Sequence, residues 1–418
     1  MATYSFLLDN NFMKLKQSVV MVLVLLGLLS SVCLGIYFSN GEENDEPEIV
    51  ENVIPERFER NIENKDNVDS DIVELIETYI NRYFKSMYTL ELNSTIDLFN
   101  DELKGYLSDS TIKFLIDNRK KYDFDFSLSD AYYDLKLVDY KKEDGKYYLT
   151  VLEDDYMNFA FLNGITSEIL GIENYFIIEK VNGEYKINNL EKIQGYYSMF
   201  YDNEFDSTQD IDKLYEYYAD TLNRTIENEN YLKGLASEKP YVETKTYEYK
   251  YNRELAVNYA DKYYTKRNTN WYDFSDEGGN CQNYASQALY EGGIIMDYSG
   301  SNQWKCYISD PEYDPEISED DEQYGRSRSW VNVNYFYDYA DNNKGMGLVS
   351  DCDANIYYAE PGDIIQVGMS SYSHTTIVSK IVDGHILLNS NSIDMKDYPL
   401  VAYTYPKRRL IKILGANS

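Results

Sequence analysis

The residues best suited to nucleophilic chemistry at neutral pH are scarce in this chain: four cysteines and two histidines. One cysteine has a marked context, Gly278-Gly279-Asn280-Cys281-Gln282-Asn283-Tyr284-Ala285-Ser286-Gln287-Ala288-Leu289. Two glycines permit a tight entry, Asn280 is a good N-cap type, and Tyr284, Ala285, Ala288 and Leu289 then fall on one helical face. The spacing therefore predicts that Cys281 opens a helix, where free N–H groups and the helix dipole favour a thiolate nucleophile. The bland alternative is a small cysteine packed in a core. A partner base must be His374 or His385, or a carboxylate. His374 opens the apolar run Thr375-Thr376-Ile377-Val378, which predicts a strand with Thr375 and Ile377 on one face and His374, Thr376 and Val378 on the other. His385 lies in Asp383-Gly384-His385, a hairpin-turn context, and is read as structural.

A third group follows in Leu387-Leu388-Asn389-Ser390-Asn391-Ser392-Ile393-Asp394. An amide or carboxylate on the neighbouring strand can fix the tautomer of an imidazole. Asn391 is the first candidate for that role, with Asn389 and Asp394 as alternatives. The backbone N–H of Cys281 is the expected oxyanion donor, and Asn270, Ser275 and Asn280 are candidates for a second. A helix-borne Cys, a strand-borne His and a polar residue on the next strand follow the papain-type order. The segment resembles the bacterial "putative amidase domain" family of papain-like cysteine hydrolases, relatives of the NlpC-type cell-wall peptidases. The resemblance rests on Tyr251-Asn252-Arg253 with Ala256, Val257, Tyr259 and Ala260, on Gly278 to Gln287, on Ser329-Trp330 with Val333, on Pro361-Gly362-Asp363 and on Ser373-His374, and it covers roughly 247–415. It implies a papain-like fold, with Cys281 as nucleophile, His374 as base and an amide or peptide substrate, plausibly in cell-wall peptide. Many relatives carry a His-Thr-x-Asp-like stretch where this chain has Asn391-Ser392-Ile393-Asp394, so Asn391 would stand in for a histidine.

Other chemistries find little support. There is no G-x-S-x-G elbow, no H-E-x-x-H and no C-x-x-C pair, so neither a metal nor a cofactor is expected. The acids Glu319-Asp320-Asp321-Glu322 lie in a charge-dense run and read as a solvated loop. With 39 Lys+Arg against 72 Asp+Glu, the net charge of −33 argues against nucleic acid as a partner. Cys306 and Cys352 are candidates for a disulfide in an oxidising compartment.

The elements around these residues suggest an α+β chain of several parts. Residues 1–17 read as a cytoplasmic tail. Residues 18–38 form an uncharged apolar run, preceded by Lys14 and Lys16 and followed by acids, which predicts a transmembrane anchor with the remainder outside the cell; a cleaved signal peptide is the competing reading. Residues 39–70 are an acidic linker. Residues 71–205 predict an α+β domain, helices first and then hairpins turning at Asp144-Gly145 and Asn182-Gly183, with cystatin-like architecture. Residues 206–245 read as a helical connector and 246–418 as the papain-like amidase domain. The expectation is thus a single-pass membrane protein whose surface-exposed cysteine amidohydrolase cleaves a peptide or amide, with peptidoglycan the candidate substrate. The alternative is an inactive papain-like binding or scaffold module at the cell surface.

Overall fold

Apolar residues at helical spacing in 72–87 form α1 (Ser70–Thr89), whose buried face includes Ile72, Ile76, Tyr79, Ile80, Tyr83, Phe84 and Met87. Asp69 caps it by accepting the Asp71 N–H. The computed structural model describes residues 54–299, 302–306 and 326–418. The expected tail, the apolar run at 18–38, part of the acidic linker and the acidic run at 319–322 lie outside the described residues. The second helix, α2 (Glu102–Arg119), is capped by Asp101. Before α1 lies β1 (Glu59–Glu63), which pairs in parallel with β2 (Leu128–Glu143), and after β2 come the antiparallel strands β3 (Lys146–Phe159), β4 (Ser167–Val181) and β5 (Glu184–Lys192). The turns at Asp144-Gly145 and Asn182-Gly183 have positive φ at both positions, as the hairpin sequences require. After α3 (Gly195–Tyr201), the long α4 (Thr208–Glu238) buries Ile211, Leu222 and Ile226, and its Glu229 pairs with Arg408 of the C-terminal strand.

The C-terminal elements are β6 (Tyr249–Lys250), α5 (Arg253–Tyr263), α6 (Cys281–Glu291), α7 (Arg328–Val331), α8 (Val333–Asn342), β7 (Gly347–Asp351), β8 (Ile364–Gly368), β9 (His374–Val382), β10 (His385–Ser390), β11 (Asp394–Pro399) and β12 (Lys407–Asn417). They do not form a separate sheet. One mixed sheet runs β1-β2-β3-β4-β11-β10-β9-β8-β12-β6, with β5 also on β4 and β7 also on β12. This corrects the expectation of a cystatin-like α+β domain standing apart from a papain-like α+β domain: the fold is mixed α/β built on a shared sheet. The join is β4 to β11, where Leu170, Ile169 and Glu168 pair with Asp394, Met395 and Lys396. Ser167 Oγ donates to the Asp397 carbonyl across it at 2.7 Å. The single-pass membrane expectation finds no support in these residues. Among the described residues no helix is long and apolar enough to cross a membrane.

The strands β8 to β12 are apolar on both faces. Ile364, Ile377, Ile411 and Ile413 pack with α5, α6 and α8 residues in one core. Ile365, Val367, Val378, Leu387, Leu388 and Leu410 pack in the other, which continues into α1, α2, α4 and β2 to β5. Doubly covered strands read as near-continuous apolar runs for this reason.

Gly171, at φ +71°, is the pivot of the join. N-terminal to it β4 pairs with β11, and beyond it with β5. Its N–H is held by Asp154 Oδ1 at 2.7 Å. A Cβ there would meet nothing within 4 Å, so a substitution is opposed by backbone strain alone. Gly171→Ala should lower stability by about 1–2 kcal/mol, read from the urea midpoint; an unchanged midpoint would contradict this account of the join.

Candidate functional site

Cys281 is the first residue of α6 and is buried. Gly278 (φ +96°) and Gly279 (φ +118°) bring the chain into the helix. Asn280 occupies the N-cap position but does not cap with its own side chain. Its Oδ1 accepts from the Phe274 N–H and from Asn283 Nδ2 (3.2 and 2.7 Å), and its Nδ2 donates to Asn391 Oδ1 at 2.8 Å. The cap comes from elsewhere. Ser392 Oγ accepts the N–H of Asn280 at 2.8 Å and that of Cys281 at 3.0 Å. The Ser392 hydroxyl also acts to lower the pKa of the Cys281 thiol.

The thiol lies close to the first peptide of β9: the N–H of Thr375, the residue after His374, acts to lower its pKa. Burial pushes the Cys281 thiol above its ordinary value, against the opposing effect of the Thr375 and Gln282 N–H groups and the Ser392 hydroxyl. A buried amide cluster holds α6 on the strand. Gln282 Oε1 accepts from Thr375 Oγ1 at 2.8 Å, and Gln366 Nε2 donates to the Val333 carbonyl at 2.8 Å and reaches Thr375 Oγ1 at 3.3 Å.

Because Thr375 faces α6, His374 takes the other side of the strand. Its cross-strand partner Val367 lies in the core shared with the middle segment. His374 lines a cavity with Gln194, Gly195, Ile393, Tyr403 and Tyr405. Burial pushes its pKa down to about 4, so the ring is neutral at pH 7. Its Nε2 is buried with no hydrogen-bond partner among the described residues. Tyr403, on the same cavity wall, is near enough to Cys281 for a charge there to act on its hydroxyl.

Asn391 sits at the site but does not orient His374. Its Nδ2 donates to the Tyr263 and Tyr264 carbonyls at 2.8 and 3.1 Å, and its Oδ1 accepts from Asn280. Asn389 is engaged by Asp261 and by the Asp397 N–H. Asp394 pairs with Arg267 at 2.9 Å. Of the oxyanion candidates, Asn280 is committed as described, and Ser275 Oγ bonds Asp273 and Arg267 within its own loop. Asn270 is exposed. His385 packs on Phe124 and Phe161. Cys306 and Cys352 are not joined in a disulfide. Pro361-Gly362-Asp363, which flanks the site in sequence, proves to be architecture. Asp363 is buried between Arg253 (2.7 Å) and Lys412 (3.4 Å) and accepts the Ile413 N–H at 2.8 Å. Tyr251 Oη donates to the Gly362 carbonyl at 2.9 Å.

Sequence reading missed Ser392, Gln282, Thr375 and Gln194. Only Ser392 carried a signal, as a hydroxyl beside the strand end, and nothing local points it at α6.

The fold of 250–414, with a cysteine-headed helix against a histidine-headed strand, is the part that comparisons reach. Residues 250–414 match the model of the "putative amidase domain" family. Amide-bond hydrolysis is the general chemistry this match indicates for the amidase segment. A curated relative, "Uncharacterized protein YhbB" of Bacillus subtilis (strain 168), is 31% identical over 155 residues, covering 35% of this chain and 43% of that protein. The match thus spans less than half the length of that relative.

Ser392→Ala removes the acceptor of two buried N–H groups and the hydroxyl that lowers the thiol pKa. It should cost about 1–2 kcal/mol in a denaturant melt. It should also raise the thiol pKa, slowing iodoacetamide labelling of Cys281 at pH 8 several-fold. Labelling as fast as in the unsubstituted protein would show that Ser392 does not tune the thiol.

Proposed function

We propose that this protein is a cysteine-dependent amidohydrolase, with Cys281 as nucleophile and His374 as base. The observation that supports it best is the 2.8 Å hydrogen bond from Thr375 Oγ1 to Gln282 Oε1, which ties the residue after Cys281, at the N-terminus of a helix, to the residue after His374. Both groups start neutral, since burial raises the thiol pKa and lowers that of the imidazole. The base therefore takes the thiol proton as sulfur attacks the amide carbonyl, rather than in a preformed ion pair. The C–N bond then breaks, the leaving amine receives that proton from His374, and water hydrolyses the thioacyl enzyme. The N–H groups of Asn280 and Cys281 hold Ser392 Oγ at 2.8 and 3.0 Å, the range an oxyanion requires. Exchange of Ser392 Oγ for the substrate oxygen would complete the hole.

The substrate class we propose is a peptide amide, with cell-wall peptide favoured by the family resemblance. The alternative, an inactive binding module, draws on the engagement of the Cys281 N–H by Ser392. Purified muropeptides incubated with the protein and with its Cys281→Ala variant, and compared by mass spectrometry, separate the two. A fragment made only by the unsubstituted protein is expected; identical digests from both would overturn the nucleophile assignment.

The pH profile gives an independent check. His374 acts as a base only when unprotonated, and its pKa is pushed down to about 4. The acid limb of kcat/KM should therefore fall near pH 4, with the base form fully present above it, instead of near the ordinary histidine value of about 6.5. A limb at the ordinary value would mean that His374 is solvated in the working enzyme or is not the base.

A further inference from the structure

Gln194 lies outside the amidase segment, in the turn between β5 and α3, yet it lines the cavity that His374 enters. It is 4% exposed, and its side-chain carbonyl oxygen is buried with no hydrogen-bond partner among the described residues, as is His374 Nε2 on the same cavity. An apolar side chain would fill this place without an unmet acceptor, so an unpaired amide oxygen held here needs an explanation. Its backbone is pinned: the Gln194 N–H donates to the Lys192 carbonyl at 3.0 Å, and the Gln194 carbonyl accepts the Tyr197 N–H at 2.8 Å. Lys192 in turn is locked to buried Glu153 at 2.9 Å. Gly195 follows, and a Cβ there would collide with the Tyr405 hydroxyl, so glycine is what lets Tyr405 close the wall.

We propose that Gln194 is a substrate-binding residue of the Cys281 and His374 site, its carbonyl oxygen accepting a peptide N–H of a substrate whose residue at this position is small. The proposal rests on the reading of those two residues as nucleophile and base. The size limit follows from the cavity, about 50 Å³. That is several times the least space that holds one water and is suited to a peptide group with a glycine or alanine side chain. Its walls include Ile393, which follows Ser392, the residue whose Oγ accepts the Cys281 N–H at 3.0 Å, so a residue seated here lies toward the reacting thiol. The donor it takes is a peptide N–H, because the waiting group is an acceptor.

The test compares two thiol reagents on the full chain. Iodoacetamide carries no peptide, whereas N-acetyl-alanyl-alanyl chloromethyl ketone presents peptide N–H groups and small side chains. The readout is the ratio of their rates at Cys281, with the modified residue identified by mass spectrometry. Gln194→Met, similar in length but without the acceptor, should lower the peptidyl-to-iodoacetamide ratio about tenfold, the loss expected for one hydrogen bond. Gln194→Glu, which keeps an acceptor oxygen, should restore most of it. Gly195→Ala, which pushes Tyr405 off the wall, should lower the same ratio and decides the matter if Gln194→Met does not fold. An unchanged ratio in the folded variants overturns the role of Gln194 while leaving Cys281 as the reactive thiol. Labelling of Cys306 or Cys352 as fast as Cys281 in the unsubstituted protein overturns the nucleophile reading, and this proposal with it.

Discussion

Two buried backbone N–H groups, those of Asn280 and Cys281, need an acceptor that their own helix does not provide, and Ser392 Oγ supplies it from the turn between β10 and β11. The approach must be close. A Cβ on Gly279 would lie 3.0 Å from that oxygen, which gives the second glycine of the pair a steric role beside its positive φ. The same hydroxyl acts to lower the thiol pKa, so the position and acidity of Cys281 depend on a turn far away in sequence. A helix N-terminus favours a thiolate by about 0.3–1 kcal/mol at an exposed site. Desolvation of a buried thiol is the larger effect and wins, leaving Cys281 protonated at rest.

The second constraint is the parity of β9. Thr375 and Ile377 face α6, while His374 and Val378 face the middle segment. A slip of one residue would exchange these sets and send His374 toward Gln282. The buried bonds among Gln282, Gln366 and Thr375 oppose that slip, because each would leave an unpaired amide or hydroxyl in the core. Polar groups between helix and sheet here specify register more than they add stability.

What the sequence revealed and what it hid divide along range. The start of α6 at Cys281, the start of β9 at His374 and the hairpins at Asp144-Gly145 and Asn182-Gly183 follow from local rules of capping, periodicity and turn chemistry. The pairing of β4 with β11 does not, because Glu168 and Lys396 carry no local sign of each other. Gly171 could be read as a bulge within a strand, but not as the point where the strand changes partner. Asn391 shows the same limit. Alternation placed it beside the histidine strand, yet its amide is claimed by the carbonyls of Tyr263 and Tyr264 at the end of α5. In the sequence, Gly362-Asp363 carries part of the family resemblance and shows no role of its own. The structure makes it a buried ionic joint among Arg253, Lys412 and the β12 backbone, where removing one member would strand the others' charge.

The shared sheet also bears on where the functional unit ends. If residues 246–418 were a self-contained domain, the face bearing Ile365, Val367, Val378, Leu387 and Leu388 would stand open to water. Those side chains are fully buried here, and the groups that bury them come in part from the middle segment. An apolar surface of that extent calls for a cover. The Glu229–Arg408 pair ties that cover down, since both side chains are nearly inaccessible and each would be an uncompensated charge without the other. His374 points into this same face, so the environment that keeps its ring neutral is built by residues on both sides of the join. The middle segment is thereby part of what sets the protonation state at the site, and the amidase segment taken alone would not have the same imidazole.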